Sequence, residues 1–168
     1  MNGERRAIKD KAREVIAKHG ITKPPVNVFT IAQNEGLNII YFAPESETTQ
    51  RFSGLYDKDE RRIYVNINDS LERKAFTVAH ELAHYFLQHR SNQYGVYLRD
   101  GFYETKKPAK EIEADVFAAE LLMPRAFLDN FLKKYKLGRD DAYVLAGMFG
   151  VSRSAMQYRL KNFDASDE

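Results

Sequence analysis

The sequence contains no cysteine among its 168 residues and no long run of apolar side chains. Without cysteine the chain can form neither a disulfide framework nor a zinc site built on thiolates. No stretch approaches the roughly 20 apolar residues that cross a bilayer, so we expect no membrane partner. The first ten residues are charged and lack the apolar segment of a secretory signal. We therefore expect a cytoplasmic protein.

Charge of one sign is not in large excess either. The 26 basic residues nearly balance the 24 acidic ones, which argues weakly against a dedicated nucleic-acid-binding protein. The length suits one domain that is large enough to bury a hydrophobic core. We predict that this domain spans residues 1–168.

The most informative stretch is His80-Glu81-Leu82-Ala83-His84, an H-E-x-x-H motif. Side chains four residues apart lie on the same face of an α-helix, so His80 and His84 can bind one metal ion together. Glu81 then lies beside the open coordination position, where it can take a proton from water. The pattern predicts metal-assisted hydrolysis, most often of a peptide bond.

A helix is predicted across the motif, from about residue 70 to residue 88. Its apolar stripe has helical spacing and comprises Leu71, Ala75, Val78, Ala79, Leu82 and Phe86. Asp69 is the expected N-cap, with Glu72 in the position of a capping box. His80 and His84 project roughly opposite the stripe onto a second, semi-apolar surface. A buried histidine pair needs a partner, and a metal ion is the simplest one; chance surface histidines are the alternative.

The third protein ligand is expected from a second helix, predicted from about residue 109 to residue 122. On the helical wheel Glu111 shares a face with small alanine side chains, which allow another helix to approach closely, whereas Glu113 points elsewhere. We predict Glu111 as the ligand and keep Glu113 as the alternative. Asp115, one turn beyond Glu111, can accept a hydrogen bond from the second nitrogen of a ligating histidine. Without a metal, these acids would be ordinary solvated charges.

Both motifs resemble those of the ImmA/IrrE family of thermolysin-like zinc metallopeptidases, found in bacteria, phages and mobile elements. Residues 76–85, FTVAHELAHY, are similar to the family's F-T-x-A-H-E-x-x-H segment. Residues 111–124, EIEADVFAAELLMP, are similar to its second signature, and the strand pattern of residues 53–66 also fits. The resemblance spans roughly residues 25 to 160.

The resemblance implies a zinc endopeptidase whose protein substrate is a helix-turn-helix transcriptional repressor, in an anti-repressor or stress-response role. Its site would hold one Zn²⁺ on His80, His84 and Glu111, with Glu81 as the catalytic residue; the ligand set alone also suits Mn²⁺ or another divalent ion. The alternative is a DNA-associated regulator that keeps the fold with little catalysis. Retention of all four residues favours the enzyme.

The patterning before the motif predicts an amphipathic helix near the N-terminus, a short helix at 28–34, a strand at 37–42 and a hairpin of 52–56 with 62–67. Strands followed by helices imply an α+β domain. We expect a small mixed or antiparallel three-stranded sheet packed against zincin-type active-site helices, with a C-terminal helical hairpin. Residues 52–56 are the expected exposed edge for substrate, where Gly54 would permit close backbone approach.

The segment from residue 90 to residue 107 carries Tyr94, Tyr97, Phe102 and Tyr103 between the two predicted metal-binding helices. Its aromatic side chains can grip substrate as a lid, but we favour a loop that covers the core. His89 can supply another nitrogen near the site, but we favour a position at a frayed helix end.

Residues 139–163 resemble a helix-turn-helix, in which Gly150-Val151-Ser152 forms the turn and Ser152 caps the second helix. In a DNA-binding role, Arg153, Gln157 and Arg159 would enter a groove. In a structural role, the apolar residues of the segment pack the hairpin onto the catalytic domain. The modest density of basic residues favours the structural role over direct DNA binding.

Overall fold

The computed structural model describes residues 2–45, 50, 52–89, 96–98 and 107–162. Two helices, α1 (Asn2–Lys18) and α2 (Val28–Asn34), precede three strands, β1 (Asn38–Phe42), β2 (Phe52–Asp57) and β3 (Arg62–Asn66). The next elements are α3 (Leu71–Phe86), β4 (Val96–Leu98), α4 (Ala109–Leu122) and α5 (Arg125–Tyr135). A 3₁₀ turn at Arg139–Asp141 leads into α6 (Ala142–Phe149) and α7 (Arg153–Lys161). The predicted α+β class is confirmed.

The strands form one mixed sheet in the order β1-β3-β2-β4. Strand β1 runs parallel to β3, whereas β2 runs antiparallel to both β3 and β4. The three predicted strands are present, and β4 adds a fourth within the segment that we expected to be a loop. The prediction that β2 is an exposed edge is therefore wrong, because Gly54 faces Val65 on one side and Tyr97 on the other.

Helix α3 begins one residue later than the predicted cap implies. The Ser70 hydroxyl, rather than Asp69, accepts a hydrogen bond from the Arg73 backbone N–H at 3.2 Å. Extended backbone at Ser70 allows its side chain to fold back onto the first turn, as an N-cap requires. The middle of the predicted stripe is fully buried, but Leu71 is 76% exposed. The buried part of α3 packs against α4 and β2.

The N-terminal and C-terminal helices join the same core. Helix α1, the predicted amphipathic helix near the N-terminus, buries Ile8, Ala12, Val15 and Ile16 and packs on α4. Gly150 adopts a left-handed conformation (φ 67°) between α6 and α7, and Ser152 caps α7 through the Ala155 backbone N–H. The buried residues of this hairpin are Ala142, Leu145, Ala146, Phe149, Val151, Met156 and Leu160. No helix among the residues described combines the length and apolar character of a membrane span.

A buried carboxylate ties three helices together. Glu120 on α4 is 1% exposed, and Arg13 of α1 donates to its Oε1 at 3.0 Å. Arg159 of α7 binds Oε2 and also donates to the Met123 carbonyl oxygen at 3.2 Å. Arg159, one of the three residues that would contact DNA, is therefore directed into the protein. This contact supports the structural role of the hairpin.

We predict that Arg159→Met lowers the free energy of unfolding by about 3 kcal/mol, because it leaves a buried carboxylate with one guanidinium partner fewer. The matched change Arg153→Met, on the exposed start of the same helix, is expected to cost less than about 0.5 kcal/mol. Urea denaturation of both variants measures the difference. Equal stability of the two variants would contradict a stabilising role for the Glu120 contact.

Candidate metal centre

His80 and His84 lie on one face of α3, one helical turn apart. His80 is fully buried, the His84 side chain is 11% exposed, and their ring centroids lie 5.0 Å apart. Their Nε2 atoms are 3.2 Å apart and face the same point. This convergence follows from the i, i+4 spacing, which stacks the two side chains along the helix.

Glu111 on α4 completes the group. Its Oε2 lies 3.0 Å from His80 Nε2, and its Oε1 lies 3.4 Å from His84 Nε2. Ligand atoms of these three residues all lie within 4.8 Å of one another. The two helices approach closely because Ala114 and Ala118 of α4 are small and fully buried. Two imidazole nitrogens and a carboxylate are a ligand set that suits a catalytic zinc ion, so the residues present fit the metal.

Asp115 holds the other side of His80. Its Oδ1 lies 3.0 Å from His80 Nδ1, and the Lys107 ammonium donates to its Oδ2 at 2.5 Å. A proton on Nδ1 that is donated to Asp115 leaves the Nε2 lone pair of His80 directed at Glu111 and His84. This is the arrangement that orients a metal-binding histidine.

The charges of the site favour a cation. Burial opposes ionisation of His80, but its hydrogen bonds to Asp115 and Glu111 outweigh this effect and raise its pKa to about 9. Burial raises the pKa values of the Glu111 and Asp115 carboxyls. Pairing with His80 outweighs this effect, so both pKa values lie below their usual range. Burial and the neighbouring His80 charge lower the pKa of His84 to about 4. The carboxylates thus hold a proton on His80 that a metal ion would displace.

Glu81 is fully buried beside the ligand group. Neither of its carboxylate oxygens accepts a hydrogen bond of good geometry from the residues that the structure describes. Burial raises the pKa of Glu81 to about 8, although the His80 charge and the nearby backbone N–H of Tyr56 act in the opposite direction. A carboxyl with a pKa near neutrality can both take and give a proton, which is the requirement for a general base and acid.

Strand β2 forms the wall behind Glu81, and Gly54 is the point of contact. A Cβ atom at Gly54 would lie 2.3 Å from Thr77 Cγ2, 2.9 Å from the Tyr64 carbonyl oxygen and 3.4 Å from Glu81 Oε1. The strand therefore approaches α3 so closely that only glycine fits. The expected close approach exists, but its partner is the catalytic helix rather than a substrate backbone.

His89 and Glu113 form a second layer beside the ligand group, so the alternative that places a His89 nitrogen near the site describes its position better than the favoured one. The His89 side chain is 8% exposed, its Nδ1 lies 3.0 Å from His84 Nδ1, and its Nε2 lies 3.0 Å from Glu113 Oε2. The favoured position of His89 at a frayed helix end is wrong. Glu113, the alternative ligand, meets His89 instead of the ligand atoms. The available signal was a third histidine nine residues after His80.

An open cavity of about 890 Å³ borders the site at His84 and His89. It is also lined by one face of α1, by the β2–β3 turn and by Glu35 and Tyr56. Of the aromatic residues expected near the cleft, Tyr94, Phe102 and Tyr103 lie outside the described residues, and only the backbone of Tyr97 is described.

An H-E-x-x-H helix that meets a glutamate from a second helix is the arrangement of a zincin-type metallopeptidase. Residues 32–161 match the family model described as the IrrE N-terminal-like domain. The chain belongs to this family of metallopeptidases, and the resemblance to the ImmA/IrrE proteins is confirmed.

The chain is similar in sequence to two curated relatives and in fold to one solved structure. It is 29% identical over 157 residues to "Metallopeptidase ImmA" of Bacillus subtilis, covering 92% of this chain and 85% of that protein. It is 29% identical over 156 residues to "Radiation response metalloprotease IrrE" of Deinococcus deserti, covering 92% of this chain and 53% of that protein. A solved "Mycobacterium tuberculosis transcriptional regulator" shares the fold with a TM-score of 0.64 at 16% identity, over 91% of this chain and 46% of that one.

We predict that Gly54→Ala lowers the free energy of unfolding by about 1–3 kcal/mol, because the added methyl group overpacks the contact with Thr77. Gly147→Ala is the matched control: its Cβ meets nothing within 4 Å, and alanine suits a helix interior better than glycine. Thermal denaturation compares the two variants. A Gly54→Ala protein as stable as the control would show that the strand has room to move away from α3.

We predict that Glu111→Gln loses far more zinc affinity than Glu113→Gln, because only Glu111 contributes an oxygen to the ligand group. The loss is expected to exceed the roughly 10- to 100-fold that removal of a supporting partner costs. Elemental analysis and chelator competition on both variants measure the effect. If Glu113→Gln loses the metal and Glu111→Gln keeps it, the ligand assignment is wrong.

Proposed function

We propose that this metallopeptidase is a zinc-dependent endopeptidase, in which His80, His84 and Glu111 hold the ion and Glu81 is the catalytic residue. The convergence of three ligand atoms within 4.8 Å, beside a fully buried carboxyl, is the observation that carries the proposal. An exposed histidine pair without a function would need neither the glutamate from α4 nor the supporting Asp115. Mn²⁺ or another divalent ion would fit the same residues.

The chemistry divides between the ion and the chain. A bound ion supplies Lewis acidity that brings the pKa of a water molecule from about 15.7 towards about 7. Glu81 takes a proton from the attacking water and then donates it to the leaving amine. Its burial beside the ligand group suits both steps, because the carboxyl is held close to the reacting groups and is shielded from bulk water. Asp115 fixes the orientation of His80 throughout.

We propose a helix-turn-helix transcriptional repressor as the substrate, which the family resemblance implies, and with it a cytoplasmic site of action. The open cavity is lined by His84 and His89, so a peptide segment bound there would lie beside one of the proposed ligands. A relative whose name refers to a radiation response supports a stress-linked role. Because β2 is paired on both sides, the described strands that remain as edges for an extended substrate are β1 and β4.

A DNA-associated role for residues 139–163 has weaker support. Arg153 and Gln157 are exposed on α7, but Arg159 is held by Glu120 and the Met123 carbonyl oxygen. We interpret the segment as part of one unit with the catalytic helices, consistent with a single domain over residues 1–168.

We predict that Glu81→Gln retains zinc but lowers the cleavage rate by at least about 100-fold, because the amide cannot accept the proton. Glu72→Gln, on the exposed first turn of the same helix, is the matched control and should cleave at the wild-type rate. The test is co-expression with a candidate helix-turn-helix repressor, such as one encoded beside the gene if the locus contains one, followed by mass spectrometry of the fragments. Undiminished cleavage by the Glu81→Gln protein would contradict its assignment as the base.

A further inference from the structure

A chain of hydrogen bonds leads from His84 away from the ligand group. His84 Nδ1 lies 3.0 Å from His89 Nδ1, and His89 Nε2 lies 3.0 Å from Glu113 Oε2. The two imidazole rings meet edge to face, with centroids 5.0 Å apart and planes at 69°. His84 and His89 are largely buried, whereas the Glu113 side chain is 42% exposed. The chain therefore runs from the site to the protein surface.

The positions of the protons in this chain follow from the chemistry of imidazole. A neutral ring that offers its Nε2 lone pair to a metal carries its proton on Nδ1. His84 must then donate from Nδ1, so His89 accepts at its own Nδ1. His89 in turn carries its proton on Nε2 and donates it to the Glu113 carboxylate. Each nitrogen has one role, and the three residues select the tautomer of His84 that can bind a cation.

The backbone is shaped to bring His89 to this position. Helix α3 ends at Phe86, and Gln88 adopts a left-handed conformation (φ 53°) that is uncommon for a residue other than glycine. The turn folds the chain back, so that the His89 backbone N–H donates to the His84 carbonyl oxygen at 3.0 Å. Together with the Gln88 backbone N–H, which donates to the Tyr85 carbonyl oxygen at 3.3 Å, this bond forms a common type of helix cap, and the cap places the His89 side chain against His84.

We infer that His89 is a positioning residue for His84, held in turn by Glu113. The inference deepens the proposed function, because it rests on His84 being a metal ligand. His80 obtains its support directly from Asp115, whereas His84 obtains its support through a second ring. Glu113 thus contributes to the site through two histidines without touching the ligand atoms.

Two substitutions at His89 separate hydrogen bonding from packing. His89→Phe keeps an aromatic ring against His84 but removes the acceptor. His89→Asn loses the ring but places an amide oxygen near the position of Nδ1. We expect zinc affinity, measured by chelator competition, to fall on the order of 10- to 100-fold in His89→Phe and to change by less than about threefold in His89→Asn. A packing role predicts the reverse order, and an equal loss in both variants also overturns the inference.

Glu113→Ala leaves both histidines in place, so it tests the chain even if a His89 variant fails to fold. We expect about a tenfold loss of zinc affinity in this variant. Histidine ¹⁵N spectra of the zinc-loaded protein give a readout independent of activity: the His84 Nδ1 proton should exchange slowly in the wild type and rapidly in His89→Phe. Unchanged affinity in Glu113→Ala, or slow exchange in His89→Phe, overturns the inference.

Zinc binding by the wild-type protein separates a failure of the proposed function from a failure of the role of His89. If it binds no zinc in the same competition assay, the proposed function fails and the role of His89 fails with it. If it binds zinc and the His89→Phe and Glu113→Ala variants bind equally well, only the role of His89 is overturned.

Discussion

The close packing of α3 against α4 is the contact on which the site depends. Histidines on one helix can share a cation with a carboxylate on another only if the two backbones approach closely. Ala79, Ala83, Ala114 and Ala118 are fully buried on these helices, and none carries a side chain longer than a methyl group. The chain gives up some apolar surface at these positions, and in return the carboxylates of α4 reach the imidazoles of α3.

Helix α4 shows how one short element can distribute negative charge to several cationic groups. Glu111 faces both histidines, Glu113 meets His89, Asp115 pairs with His80 and Lys107, and Glu120 receives two arginines. Glu111 and Asp115 bind different nitrogens of His80, whereas Glu113 and Glu120 meet separate partners. Buried or partly buried acids would be costly if unpaired, so each of these contacts also supports the fold.

The sequence predicted well those features that depend on short spacings. The H-E-x-x-H pair and the step from Glu111 to Asp115 are separated by single helical turns, so the period of the helix places them without knowledge of the rest of the fold. The bounds of α4 and the buried face of α1 followed from the same periodicity. The ligand roles themselves stay predictions until a metal is measured.

The sequence did not predict contacts between distant segments, and it did not decide correctly between two adjacent residues that can both cap a helix. The β2–β4 pairing joins residues about forty positions apart along the chain, and no local pattern of alternation specifies such a partner. The meeting of Glu120 with Arg13 and Arg159 has the same character. Ser70 and Asp69 are both good caps, and only the backbone conformation decides between them. For His89 the less favoured alternative was the better one, because the helix cap at Gln88 turns the side chain back toward His84.

The contact at Gly54 limits how helix α3 can move and therefore where Glu81 can lie. A helix pressed onto a strand through a bare α-carbon can neither roll nor slide without a clash, so the orientation of Glu81 is settled when the core forms. The reacting groups then need little reorganisation at the moment of reaction, which favours catalysis. The position of Glu81 is therefore sensitive to substitutions in β2, a strand that contributes no atom to the ligand group.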